Sequence, residues 1–159
     1  MKDRQIVLIL NDIRSALNVG AIFRTADGAG VEKIYLSDIT ATPDHAKVKK
    51  TALGAEEVVE WQSYRNLPRL LTKLEAADYQ IVALELCDQA TDFWETKFSR
   101  KVALIVGNEL TGLNKRILDK SKLVIKIPMY GRKESLNVAT ATGIAVYEIV
   151  KFQKSLLQP

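Results

Sequence analysis

Cysteine and histidine are nearly missing from this chain of 159 residues: Cys87 and His45 stand alone. A single cysteine closes no intrachain disulfide, which fits a reducing cytoplasm. Cys87 ends an apolar run and reads as a small core residue. One histidine with one cysteine cannot assemble the nitrogen and sulfur ligands of a structural zinc site, so no metal is expected. Long hydrophobic runs are missing too. None approaches the roughly 20 apolar residues of a membrane span, and the opening Met1-Lys2-Asp3-Arg4 leads straight into a strand pattern with no signal peptide. Complete nucleotide-loop fingerprints are also lacking. Gly28 and Gly30 follow a helical pattern, with no third glycine in register. Gly107 and Gly112 have a phosphate-loop separation, but Leu113 stands where the lysine is needed. Nucleotide hydrolysis and dinucleotide binding are disfavoured.

What remains is the composition of a globular domain, 47% hydrophobic and 26% charged. One domain over residues 1–159 is the natural count. The net charge of +4 permits an anionic partner without demanding one. Strand patterns are read at residues 5–10, 32–37, 57–62, 80–87, 101–106 and 123–127. Helical patterns are read at 18–29, 44–53, 67–77 and 135–155. This alternation predicts an α/β fold, a mostly parallel sheet flanked by helices. Periodicity alone suggests a flavodoxin-like or Rossmann-like order.

Three stretches carry chemistry. The first runs from Asn18 through Gly20 to Arg24 and Asp27. Asn18 is suited to cap a helix, and Arg24 reaches beyond the cap; the simpler alternative is a capped helix with a solvated arginine. The second, Ile105-Val106-Gly107-Asn108-Glu109-Leu110-Thr111-Gly112-Leu113, ends a buried strand at the C-terminal edge of the sheet. Ligands of open α/β sheets bind at that edge. The third runs from Ile127 through Met129 and Gly131 to Ser135, Leu136 and Asn137. It reads as strand, tight loop and helix start, with Ser135 at the N-cap. Such a turn could hold a small ligand, but the stretch alone reads more simply as an ordinary βα connection. The helix that follows carries small residues, Ala139, Ala141, Gly143 and Ala145, with Val138, Val146 and Ile149 available for burial.

In this order and at this spacing the three stretches resemble the motifs of the SpoU/TrmH family of RNA ribose methyltransferases, within the SPOUT superfamily. The resemblance implies a C-terminal deep trefoil knot, which chain statistics would not propose. It implies S-adenosylmethionine as cofactor, contacted by Gly107, Ile127, Met129 and Leu136, with Leu84 and Glu85 held as looser candidates. It implies an active site of Arg24, Asn18, Glu109, Ser135 and Asn137, in which Arg24 acts on a ribose 2′-hydroxyl of transfer or ribosomal RNA. It also implies a homodimer built partly on the last helix. Lys47, Lys49, Lys50, Arg132 and Lys133 are the basic candidates for RNA contact. The alternatives are a SPOUT enzyme that methylates a base nitrogen and a non-catalytic RNA-binding protein of the same fold. Gly107-Asn108-Glu109 with Gly112-Leu113 following favours the ribose branch.

Overall fold

The computed structural model describes residues 5–157. Seven strands form one parallel sheet in the order β3-β2-β1-β6-β4-β7-β5. They are β1 (Gln5–Asn11), β2 (Lys33–Ser37), β3 (Glu60–Tyr64), β4 (Gln80–Leu84), β5 (Thr91–Asp92), β6 (Lys101–Gly107) and β7 (Leu123–Lys126). This is neither the flavodoxin nor the Rossmann order that periodicity suggested. β6 returns to the middle and pairs with β1 along its full length, from Gln5 beside Lys101 to Asn11 beside Gly107.

Both faces of the sheet are covered, so the central strands read as unbroken apolar runs rather than alternating ones. On one face Ile6, Leu8, Leu10, Val102, Leu104 and Val106 meet the buried sides of α1 (Ala16–Ala29), α2 (Ala46–Ala52) and α6 (Val138–Ser155). On the other, Val7, Ile9, Ala103 and Ile105 meet α4 (Leu67–Ala76) and α5 (Lys115–Lys120). Leu67, Leu70, Leu71 and Leu74 form the α4 stripe. A short α3 (Ala55–Val58) precedes β3.

Several boundaries differ from the sequence reading. Ser15, not Asn18, caps α1; its hydroxyl accepts from the Asn18 amide at 3.2 Å. Asn137, not Ser135, caps α6, accepting from the amides of Ala139 and Thr140 at 2.9 and 3.2 Å. In each case two capping side chains compete within a few residues, and the winner is the one whose oxygen reaches the free amides. The third strand is shifted towards the C-terminus because Gly54, at φ +91°, lets the chain start another helical turn through Val58. The strand expected through Cys87 ends at Leu84, where the Glu85 side chain turns back to the Leu86 amide. His45 proves to be the cap of α2, its Nδ1 accepting from the Lys47 amide.

Candidate active site

At the C-terminal edge of the sheet, beside β6, the chain leaves a cleft of about 610 Å³. Its walls come from the end of β4, the loop after β6 and the segment joining β7 to α6. The five residues expected to hold the cofactor, Leu84, Gly107, Ile127, Met129 and Leu136, all line it. So do Glu109, Ser135 and Asn137. The second and third stretches, separated in sequence by α5 and β7, are thus brought to one cavity.

The loop after β6 owes its shape to Asn108. Its side-chain oxygen accepts from the amides of Leu110 and Thr111 at 2.9 and 3.0 Å, and its amide donates to the Asp12 carbonyl at 2.9 Å. The Gly112 amide closes the turn onto the Asn108 carbonyl. Gly107 must be glycine for a reason the sequence did not show. A Cβ there would lie 2.7 Å from the Gly112 carbonyl carbon and 2.7 Å from the Leu113 side chain. A side chain at Gly107 would strike the far limb of its own loop. Gly112 sits at φ +63° against the Glu85 carboxylate. Glu85 accepts from the Leu113 amide at 2.7 Å, so it ties the end of β4 to the loop after β6. A carboxylate just past a strand that borders a glycine loop was the available signal for Glu85; for Asn108 it was the Gly-Asn pair, a turn former.

Glu109 is committed to structure. One carboxylate oxygen accepts from the Arg14 amide at 3.0 Å; the other accepts from the Ser15 amide at 3.0 Å and the Asn18 side chain at 3.3 Å. Partial burial alone would push its carboxyl up, but the amides of Arg14 and Ser15, aided by Asn18, outweigh burial and hold it below the ordinary glutamate range. Asn18 in turn accepts from Asn137 Nδ2 at 3.1 Å. A continuous chain, Glu109–Asn18–Asn137, thereby joins the loop after β6 to the starts of α1 and α6. The β1–α1 connection is fixed from the other side as well. The Asp12 amide donates to Ser37 Oγ, the Ile13 amide donates to Thr40 Oγ1, and the Tyr64 hydroxyl donates to Asn11 Oδ1. Burial, then the charge of Asp12, pushes the Tyr64 hydroxyl up, so it stays a neutral donor.

Arg24 does not join this cleft. It is exposed on α1, six residues beyond Asn18 and so roughly 9 Å further along the axis. It lines a separate groove with Lys50 and Tyr147. The last helix also departs from expectation. Ala145, Val146 and Ile149 are wholly buried within their own chain, and Gly143 faces Thr25 of α1. Ala145, Val146 and Ile149 are not free to meet a partner; the large apolar residues this helix leaves exposed are Ile144 and Tyr147.

Among the described residues no group of three or more His, Cys, Asp or Glu side chains is placed to hold a metal ion. No helix among them is long and apolar enough to cross a membrane.

This chain is 36% identical over 143 residues to the 23S rRNA (guanosine(2553)-2'-O)-methyltransferase RlmP of Bacillus subtilis, a match covering 90% of this chain and 57% of that protein. The chain thus spans little more than half of that relative. Its fold superposes on the TrmH/SpoU tRNA modifying enzyme of A. aeolicus with a TM-score of 0.85 and 31% identity, over 98% of this chain and 79% of that one. The AdoMet-bound rRNA methyltransferase of Sinorhizobium meliloti gives a TM-score of 0.86 at 29% identity, over 98% of this chain and 57% of the other. The sequence model of the SpoU rRNA Methylase family matches residues 5–147, which contain all three stretches and every side chain of the Glu109–Asn18–Asn137 link, and the chain belongs to that family.

Proposed function

We propose that this chain transfers the methyl group of S-adenosylmethionine to a ribose 2′-hydroxyl of transfer or ribosomal RNA. The observation that carries the reading is the cleft itself. Leu84, Ile127, Met129 and Leu136 give it apolar walls suited to an adenine ring, and Glu134, Ser135 and Asn137 give it polar edges. Its volume is that of a small-molecule site. Gly107, where any side chain would push the loop away, supports the same fit. When bound, the cofactor supplies the electrophilic sulfonium methyl.

The chain's own groups do the rest. Glu109, Asn18 and Asn137 hold the starts of α1 and α6 at the cleft and are positioning residues in this reading. Ser135 and Asn137 present polar atoms to the cleft. The guanidinium is a permanent cation with donors and no acceptor; that of Arg24 meets the charge that develops on the ribose oxygen, while the proton leaves to phosphate or water. Glu109, already accepting three hydrogen bonds, is a poor proton acceptor.

The position of Arg24 outside the cleft supports a homodimer, in which Arg24 of a second copy completes the site. The exposed Leu17 and Ile144 on the α1 and α6 surface supply apolar area for it. The deep trefoil knot belongs to the same reading, supported by the insertion of β7 between β4 and β5. Residues 1–159 act as one catalytic domain, working in the cytoplasm.

The test is transfer of labelled methyl groups from S-adenosylmethionine to RNA from a strain lacking the gene, followed by nuclease digestion. Label in 2′-O-methylnucleosides is the expected result. Label on a base, or none with cofactor and RNA both bound, would overturn it.

A further inference from the structure

The groove that holds Arg24 has a construction of its own. Gly20 lies where α1 crosses α2, and a Cβ there would collide with Thr51 Oγ1 and the Val48 carbonyl. The two helices therefore meet almost backbone to backbone. The Thr51 hydroxyl donates to the Leu17 carbonyl at 2.8 Å and pins the crossing. This close approach sets Lys50 of α2 and Arg24 of α1 on one groove of about 590 Å³, closed at the far side by Tyr147 of α6.

The lining is one-sided in charge. Arg24 and Lys50 are its ionisable cations, and no carboxylate lines it. Neither cation forms an ion pair among the described residues, although Lys33, Arg65, Lys115, Lys126 and Lys151 all do. Thr25 and Tyr147 bring hydroxyls that make no hydrogen bond to other described residues, and Gly28 leaves the floor open, its nearest obstacle the Tyr147 hydroxyl. A planar guanidinium and a mobile ammonium lining one groove with these hydroxyls match a tetrahedral oxyanion carried on a chain.

We infer that this groove is the seat of an RNA backbone phosphodiester, with Lys50 as the second cation beside Arg24. The inference rests on the RNA reading above and deepens it by naming where the strand is held. Lys50 does not touch the cofactor cleft. Its role is to anchor the phosphate so that Arg24 keeps one side of its fork for the ribose oxygen.

Lys50→Gln and Lys50→Arg test this. Fluorescently labelled bulk transfer RNA is the sequence-independent probe, titrated by anisotropy across a salt series with the full-length protein. Losing one phosphate contact should reduce the slope of log affinity against log salt by about 0.7–0.9 in Lys50→Gln. Lys50→Arg should keep the parent's slope. Calorimetric affinity for the demethylated cofactor and the melting temperature should match the parent's in both variants, which separates RNA contact from misfolding. A parent that binds RNA with a Lys50→Gln slope equal to its own would overturn the groove assignment alone. A parent that binds no RNA at the lowest salt would overturn the RNA reading and this inference with it. If Lys50→Gln bound RNA normally but lost self-association in light scattering, the groove would instead belong to a second copy of the chain.

Discussion

Replacing Glu109 by glutamine separates holding from proton transfer. The parent carboxylate accepts from two backbone amides, those of Arg14 and Ser15, and from Asn18. A glutamine oxygen can keep one of these amides, but its NH₂ then faces the other, donor against donor. One charge-assisted hydrogen bond is lost outright, roughly 1.5–3 kcal/mol where water is excluded. Glu109 is exposed, so screening reduces this to about 1–2 kcal/mol. For a chain of this size that is a fall in Tm of roughly 2–8 °C. The sign with pH follows from the lowered carboxyl. The native state favours the ionised form, so the parent's advantage is present above the ordinary glutamate pKa of about 4.5 and is lost as pH falls through the lower folded value. Thermal melts of parent and Glu109→Gln by circular dichroism, from neutral pH down to about pH 3, should converge in the acid range. Equal melting temperatures at neutral pH, or a gap that persists unchanged in acid, would refute the reasoning. If single-turnover methyl transfer vanished in Glu109→Gln with stability untouched, Glu109 would be the proton acceptor instead.

Three further outcomes are expected. Gly107→Val should push the loop after β6 outward against Gly112 and Leu113, weakening cofactor binding by about tenfold or more in calorimetry; parental affinity would contradict the close contact. Arg24→Ala should lose on the order of a hundredfold in single-turnover transfer while cofactor affinity and Tm stay near the parent's, with Arg24→Lys a poor rescue; near-parental transfer would return Arg24 to the surface. Light scattering of the parent should give about twice the 17.8 kDa chain mass, and Ile144→Glu, on the outward side of α6, should halve it; a monomeric parent that is fully active would exclude the dimer.

The strands of the core were legible because a parallel strand buried on both faces needs an unbroken apolar run, and residues 6–10 and 102–106 are such runs. The sheet order was not, since nothing local in residues 101–107 says that they lie beside β1 rather than β4 alone. β5, of two residues, and α5, of six, are too short to impose a period. The cleft residues of the second and third stretches were legible as turn chemistry at strand ends. Arg24 was grouped with Asn18 because the two share a linear stretch; within one copy Asn18 bonds to Glu109 and Asn137 at the cleft, whereas the helix carries Arg24 to a separate groove. Ala145, Val146 and Ile149 show a similar limit: an apolar helix face reads the same whether its own sheet or a partner covers it. The roles of Ser15 and Asn137 as caps depended on which of several polar side chains reached the free amides.

The link from Glu109 through Asn18 to Asn137 also bears on how the molecule comes to be active. It ties together residues 91 and 119 positions apart, and the sheet beneath it pairs Gln5 with Lys101. Contacts of such long range close large loops before they return any stabilisation, so they form slowly and late. During synthesis the cleft cannot exist until the start of α6 has left the ribosome. Cofactor capture therefore registers that the chain has been made through the start of α6, and a ligand that binds only the finished cleft draws the folding equilibrium towards it.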